Sequence, residues 1–401
     1  MMDETTPASA PALFTPLSVR GTTLPNRAGV SPMCMYSATD GYANDFHLAH
    51  LGRFALGGAG LVIVEATAVE PRGRISHHDL GLWEDSQTPG LARIAEFLTT
   101  HGAVPGIQLA HAGRRASVRE PWHAGAPLDE SDAAAGLGPW PVVGPSPLPA
   151  GPGWPEPKEL DAGEIRESIE NWAAAAARAV EAGFKLIELH GAHGYLLHSF
   201  LSPVSNQRTD EYGGDSENRM RYPLEVIRAV RAAIPDDVLL SYRVSAVDGV
   251  LEGGMPFDAV VEFARRAGDS GVDLIDTSSG GISADRSVDT RVRRGFAFHA
   301  DFARDLRQQT GMLVACVGFV VDPEQATRLI EEGSADVVLL GREMLDNPNW
   351  VQHARRQLGA DEAQHWDQRF GSALTPRLRT LAQLDAAGET PLSRFEQSSV
   401  R

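Results

Sequence analysis

Cysteine is nearly absent: the 401 residues contain two, Cys34 and Cys316. That is too few for a disulfide framework or a four-cysteine metal cluster, and it makes the cytoplasm the expected compartment. Positive charge is in deficit, with 36 Lys and Arg against 53 Asp and Glu, a net charge of −17. Such a surface repels nucleic acid and anionic membranes as a whole, while leaving room for a local basic pocket for phosphate. Long apolar runs are missing too; none approaches the roughly 20 residues of a membrane span. Residues 1–12 hold Asp3 and Glu4, with no basic stretch ahead of an apolar one. They read as a flexible leader rather than a secretory signal. The expected partners are small molecules, not nucleic acid or membrane.

What is present is ample core material, 42% hydrophobic residues, in an alternating pattern. Short apolar runs at 28–31, 60–65, 104–109, 184–189, 238–243, 272–276, 313–317 and 335–340 read as eight strands. Amphipathic segments at 88–101, 161–182, 216–234, 256–270, 298–310 and 322–332 read as helices between them. Asp322-Pro323 carries a helix-start signal, and Asp161 with Glu164 resembles a capping box. The pattern predicts an α/β fold, a single (β/α)8 TIM barrel over residues 13–358, with active residues at the C-terminal strand ends. An open doubly wound sheet is the alternative. The connection after the third strand, 112–158, is abnormally long and carries Trp122, Trp140 and Trp154. That favours an ordered flap near the barrel mouth. A second long connection, 278–295, holds Arg286, Arg291, Arg293 and Arg294. Residues 359–401 form a C-terminal extension; beyond Gly371 it is polar without strong periodicity, which fits disorder or docking on a neighbouring subunit.

The segment His190-Gly191-Ala192-His193-Gly194-Tyr195 follows the fourth strand directly. It offers two imidazoles that can donate to one oxygen, beside a phenol that can deliver a proton, which suits activation and protonation of a carbonyl compound. Other strand ends carry unusual residues. The first leads into Ser31-Pro32-Met33-Cys34-Met35-Tyr36, the second into Glu65-Ala66-Thr67, the third contains Gln108, and the fifth ends at Arg243. The seventh and eighth end at Gly318 and at Gly341-Arg342, where barrels often bind phosphate. Each has a plainer reading. Histidines three apart are as often surface or capping residues. Cys34 alone reads as a small buried residue, and Cys316 as core. Arg243 fits a structural ion pair, and Glu188 can pair inside the barrel. Gln108 can bond backbone as well as ligand. With no adjacent third ligand to His190 and His193, no metal is expected.

These motifs, with Leu13-Phe14-Thr15-Pro16-Leu17, Leu24-Pro25-Asn26-Arg27, residues 107–114, Leu201-Ser202-Pro203 and residues 206–214, make the chain similar to the Old Yellow Enzyme family. These are FMN-dependent ene-reductases (NADPH dehydrogenases), and Cys34 with Tyr36 resembles the mark of the thermophilic-like class. The resemblance runs from about Leu13 to about Gln357. It implies a TIM barrel holding FMN non-covalently through Ser31, Pro32, Met33, Cys34, Ala66, Gln108, Arg243, Gly341 and Arg342, with Gly318 near the phosphate. It implies NADPH as hydride donor and activated alkenes as substrates. His190 and His193 would hold the activating oxygen, Tyr36 would touch substrate, and Tyr195 would be the catalytic proton donor. Cys34 would tune the flavin, and Arg243 would offset negative charge on its pyrimidine. A homo-oligomer, dimer or tetramer, is expected. In this class a neighbour's C-terminus can place an arginine in the active site, so Arg369, near Trp366, is the candidate. The chain departs from the family at Asp215-Ser216-Glu217, a helix start, and in its longer C-terminal region. A flavin barrel reducing a nucleobase, and a flavin-binding sensor or scaffold without turnover, are the competing readings. The acidic charge weighs against the first, and the intact His-His-Tyr set against both.

Overall fold

Segments that are apolar at every position, such as Leu-Val-Ile-Val, cannot lie at a solvated surface; they belong in strands covered on both faces. In the computed structural model, which describes residues 10–285, 287–288, 290, 292, 294–360 and 366–393, eight strands, buried along nearly their whole length, form one parallel barrel. They are β1 (Ala28–Val30), β2 (Leu61–Ala68), β3 (Val104–Ala110), β4 (Leu186–Gly191), β5 (Leu239–Ser245), β6 (Leu274–Ser278), β7 (Leu313–Cys316) and β8 (Val337–Leu340). Neighbours pair in chain order, and β8 pairs with β1 to close the ring. The closed ring excludes the open-sheet alternative.

Inward-facing Leu61, Ile63, Leu186, Leu239, Leu274, Ala315, Val337 and Leu339 pack into one apolar layer. A short antiparallel hairpin, Leu17–Val19 with Thr22–Leu24, adds Leu17, Val19 and Leu24 to that layer. This plug seals the N-terminal end, so only the C-terminal end stays open to polar residues. The outward faces meet the helices in the main core, which includes Trp172, Tyr222, Phe54 and Phe263.

Helices Thr88–Thr100, Ala162–Glu181, Ser216–Ala233, Phe257–Asp269, Ala300–Thr310 and Pro323–Glu331 stand where the periodicity predicts them. Asp161 and Asp322 cap their helices by accepting from first-turn N–H groups, and Glu164 completes the box at Asp161. The sequence pattern did not single out helix Asp45–Leu56. Its cap is Asn44, with His47 closing the box in place of the usual Glu or Gln. In the polar tail, Gln368–Ala386 is a helix that the weak periodicity did not announce. Trp366, Phe370, Leu374 and Leu378, four apart, line a cavity of about 550 Å³ against Arg53, Leu56 and Pro348. Gly371 and Pro376, poor helix formers beside that stripe, argue against a helix in the sequence. Residues 1–9 of the leader, 361–365 and 394–401 of the extension, and Arg286, Arg291 and Arg293 lie outside the described residues.

The long connection after β3 is tied down. Arg114 donates to the carbonyls of Leu148, Pro149 and Ile282, and the Trp140 indole N–H donates to Arg72 O at 3.1 Å. Arg115 bonds Gly281 O and lies over the Trp154 ring. The flap is thus joined to the loop after β6 above the barrel mouth.

Candidate active site

Strand register assembles the site. Parallel pairing sets Gln108 beside Glu188 and Glu188 beside Ser241 in one row. Two residues further along, it sets His190 beside Arg243 and Arg243 beside Asp276. These positions face inward because side chains alternate along a strand. Glu188 accepts from Gln108 Nε2 at 2.9 Å and from Ser241 Oγ at 3.0 Å, the internal pairing that its position allows. Burial, and then Asp276, push the Glu188 carboxyl up to about 8. Arg243 Nε lies 3.2 Å from Asp276 Oδ2, off the line a hydrogen bond needs, while its Nη1 donates to Ser31 Oγ at 3.3 Å.

Above this floor stand the residues of the fourth loop. The His190 and Tyr195 rings meet edge to face at 4.8 Å, and the His190 and His193 rings at 5.1 Å. Their protons can be assigned from the bonds. The Ala192 N–H donates to His190 Nδ1 at 3.3 Å, so that nitrogen is bare and His190 carries its proton on Nε2. His193 Nε2 is 2.6 Å from Ser278 Oγ. With that hydroxyl donating, His193 carries its proton on Nδ1. His190 Nε2 and His193 Nδ1 are 3.4 Å apart. In this tautomer both protons are free for a single external acceptor, whereas with Ser278 accepting, the His190 Nε2–H donates to His193 Nδ1 instead. Burial holds both imidazoles well below their ordinary pKa, helped by Arg243 at His190 and by His190 and Arg243 at His193. They are neutral donors.

Tyr195 packs with Cys34, Tyr36, Ala66 and Trp154 in one cluster at the mouth. Burial, then Cys34, raise the Tyr195 phenol well above its ordinary pKa, so it holds its proton. Burial likewise raises Tyr36 and, with Asp79 and Glu65, the Cys34 thiol. Tyr36 (φ 51°) and His193 (φ 60°) both sit in the left-handed region, unusual for side chains of this size and common where structure is held for function.

Arg243, Gly318, Gly341 and Arg342 line one cavity of about 280 Å³ together with Ser278, Phe298 and His299. A second, of about 390 Å³, shares Ser278, Phe298 and His299 and reaches His193 and Arg294. Together they run from His193 to Arg243 and Arg342. Gly318 has φ 131°, and a Cβ there would lie 3.0 Å from His299 Nδ1. Glycine keeps this wall open. Two arginines, two glycines and a polar floor fit an elongated, anionic, planar group such as FMN. Met33 reaches the same place, its Sδ 3.6 Å from where a Gly341 Cβ would stand. Pro32 lies half-buried between Ser31 and Met33. Of the residues singled out from the sequence, His193, Arg243, Gly318, Gly341 and Arg342 line these cavities, and Cys34, Tyr36, Ala66 and Tyr195 gather in the adjoining cluster at the mouth. Arg369 is exposed and bonded to Asp367.

Ser278 and His299 were missed. Ser278 ends β6, a strand-end position that carries the same signal as Arg243. His299 accepts or donates to Ser279 Oγ at 2.8 Å and to Val317 O, contacts that no local pattern announces. Among the described residues, no three His, Cys, Asp or Glu side chains could hold a metal ion, and no helix could cross a membrane.

Glu65 lies behind the Met35 backbone, whose N–H donates to it at 3.2 Å. Burial nevertheless raises its carboxyl to about 8. The folded protein then holds a proton that the unfolded chain releases near pH 4.5. Between these values the unfolded state binds fewer protons, so stability falls as pH rises through the window. Thermal unfolding should therefore shift to lower temperature from pH 5 to 8, and Glu65→Gln should flatten that slope.

The matching family model, described as the NADH:flavin oxidoreductase / NADH oxidase family, spans residues 12–361. An NADH:flavin oxidoreductase, FG08077, of Gibberella zeae is 43% identical, covering 87% of this chain and 86% of its own. The NADPH dehydrogenase of Bacillus subtilis (strain 168) is 40% identical, covering 87% and 96%. Among solved structures, morphinone reductase superposes with a TM-score of 0.70 at 26% identity, covering 88% of this chain and 91% of that one. A 2-naphthoyl-CoA reductase complex shares the fold with a TM-score of 0.76 at 24% identity, over 86% of this chain. This chain spans only 52% of that longer protein and 48% of a Rhizobium sp. 4-9 histamine dehydrogenase, which has a TM-score of 0.71 at 28% identity.

Proposed function

The chain belongs to the NADH:flavin oxidoreductase / NADH oxidase family, that of Old Yellow Enzyme, and from that membership we propose an NADPH-oxidising ene-reductase. Membership makes it a flavin-dependent oxidoreductase with FMN as cofactor and NAD(P)H as hydride donor. The substrates in this reading are alkenes activated by a carbonyl or nitro group. One observation carries it: His190 Nε2 and His193 Nδ1, on two neutral imidazoles, converge at 3.4 Å beside a protonated phenol.

Ser31, Pro32, Met33, Cys34, Ala66, Gln108 and Arg243 would hold the flavin ring, and Gly318, Gly341 and Arg342 its phosphate. When bound, FMN supplies hydride, taken from NADPH, to the β-carbon of the alkene. His190 Nε2 and His193 Nδ1 grip the activating oxygen and draw electron density toward it, which makes the β-carbon electrophilic. Ser278 keeps His193 in the donating tautomer. Tyr195 gives its proton to the α-carbon and regains one from solvent, so that one hydride and one proton saturate the bond. Tyr36, in the same mouth cluster as Tyr195, would contact the substrate. Arg243, already buried, offsets negative charge at the cavity floor. The protein acts as a homo-oligomer in the cytoplasm in this reading. The C-terminal helix, with Phe370, Leu381 and Leu384 exposed, is the element offered to a neighbouring subunit.

The test is NADPH oxidation with and without 2-cyclohexenone in D2O. Enone-dependent oxidation yielding a saturated ketone with one deuterium, at the α-carbon, is expected. Oxidation that proceeds only with oxygen and leaves the enone intact would refute the reading.

A further inference from the structure

The tripeptide Gly194-Tyr195-Leu196 is held from two sides by buried imidazole–carboxylate pairs of the same construction. On one side, the Gly194 N–H donates to His198 Nδ1 at 2.9 Å, and His198 Nε2 is 3.0 Å from Asp248 Oδ1. On the other, the Gly113 N–H donates to His111 Nδ1 at 2.9 Å, and His111 Nε2 is 2.5 Å from Glu70 Oε1. The Leu196 N–H then donates to the His111 backbone carbonyl at 2.9 Å. In both pairs a backbone N–H points at Nδ1, so that nitrogen is bare and the ring proton sits on Nε2, aimed at the carboxylate. Each carboxylate thus fixes a tautomer: at His198 the tautomer fixes the bond from Gly194, and at His111 it fixes the bond from Gly113, whose backbone packs against Leu196.

None of these four side chains has a place in the chemistry proposed above. His111 and His198 are fully buried, and Asp248 and Glu70 nearly so. Asp248 is itself anchored, accepting from Ser202 Oγ at 2.6 Å and from the Met255 N–H at 2.8 Å. Glu70 is anchored by Arg72 Nε at 3.1 Å. The anchors come from four distant parts of the chain: the ends of β2, β3 and β5, and the helix that follows Tyr195. The remaining wall is steric. A Cβ on Gly194 (φ 76°) would collide with the Gly281 carbonyl oxygen, so the turn cannot swing toward the loop after β6.

We propose that Asp248–His198 and Glu70–His111 are positioning pairs, whose joint task is to fix the Tyr195 phenol for proton delivery to the α-carbon. The inference rests on the ene-reductase reading. Proton transfer depends steeply on the alignment of donor and acceptor. A displacement of about 1 Å, imposed from outside the reacting groups, can cost about 10²-fold. Removing one carboxylate leaves a volume nearly unchanged but frees the ring proton to move to Nδ1, which breaks the backbone bond.

The test uses FMN-loaded Asp248→Asn and Glu70→Gln. Stopped-flow spectroscopy reads flavin reduction by NADPH and flavin reoxidation by 2-cyclohexenone separately. The second readout, independent of turnover, is the ¹⁹F resonance of 3-fluorotyrosine placed at position 195. Each variant should slow reoxidation by about 10- to 100-fold. Reduction by NADPH should change less than about twofold, a margin small beside that alignment effect. The ¹⁹F line should shift or broaden. Equal losses in both half-reactions, or an unchanged ¹⁹F line with an unchanged reoxidation rate, would overturn the proposal. If either carboxylate variant fails to retain FMN, Ser202→Ala removes only one anchor of Asp248. It should move both readouts the same way by a smaller factor, and no movement would count against the proposal. The wild-type enone rate tests the ene-reductase reading, whereas the ratio of variant to wild type and the ¹⁹F line test the positioning pairs, so the two can fail separately.

Discussion

Replacing His190 and His193 together by alanine slows flavin reoxidation by an enone by about 10³-fold or more, while the protein still folds and binds FMN. The magnitude follows from losing two preorganised donors, each typically worth about 10²- to 10³-fold. The direction follows from the geometry. His190 Nε2 and His193 Nδ1 face one another at 3.4 Å with no bond between them once both carry protons. With Ser278 donating to His193 Nε2, both protons are available to one oxygen placed between the rings. Both rings are kept neutral by burial, so the stabilisation comes from hydrogen bonds and persists as pH rises above 7. Phenol binding, seen as a long-wavelength charge-transfer band, should be lost in parallel, because a phenolate oxygen uses the same two donors. Single variants should each lose less than the double. Ser278→Ala should mimic a partial loss at His193, since it removes the partner of Nε2. A double variant with unchanged reoxidation and an unchanged band would make the pair structural.

Tyr195→Phe produces a smaller loss with a sharper signature. Reoxidation by enone slows by about 10²-fold, the ordinary reach of a general acid. Reduction by NADPH stays near its wild-type rate, because that half-reaction requires no proton from the phenol. Nitroalkenes suffer less than enones, since a nitronate is a stable product before protonation. The raised pKa of Tyr195, caused first by burial and then by Cys34, keeps the phenol protonated across the range in which the enzyme is assayed. The wild-type enone rate should accordingly show no fall assignable to phenol ionisation below pH 10. Stopped-flow measurement of the two half-reactions in the variant decides the matter. An unaffected enone step would move the proton-donor role to water or another side chain.

The barrel was legible because its strands are buried on both faces. Runs such as Leu61–Val64 and Val337–Leu340 show no alternation that could be mistaken for a surface element, and helices with strong amphipathic stripes separate them. The imidazole pair and Tyr195 were legible because the fourth strand and its loop are contiguous in sequence. What stayed hidden comes from register and long-range packing. Glu188, Gln108 and Ser241 form one polar row only because β3, β4 and β5 align those three positions. Asp248 and Glu70 lie 50 and 41 residues from the histidines they orient, and no local pattern joins them. Ser278 was visible as a strand end, yet its role depends on the tautomer of His193, a property of the assembled site. The helix Asp45–Leu56 escaped notice because its capping box is Asn with His, outside the usual residue set. The C-terminal helix escaped because Gly371 and Pro376 lower its helix propensity beside the stripe that seats it against the barrel.

The most direct test is the absorption spectrum of the purified protein through one anaerobic cycle. The protein should carry a flavin spectrum, and heat release should yield FMN. One equivalent of NADPH should bleach it, and one equivalent of 2-cyclohexenone, without oxygen, should restore it while cyclohexanone forms. A protein without flavin, or a bleached flavin that regains its colour only on admission of air, would contradict the account.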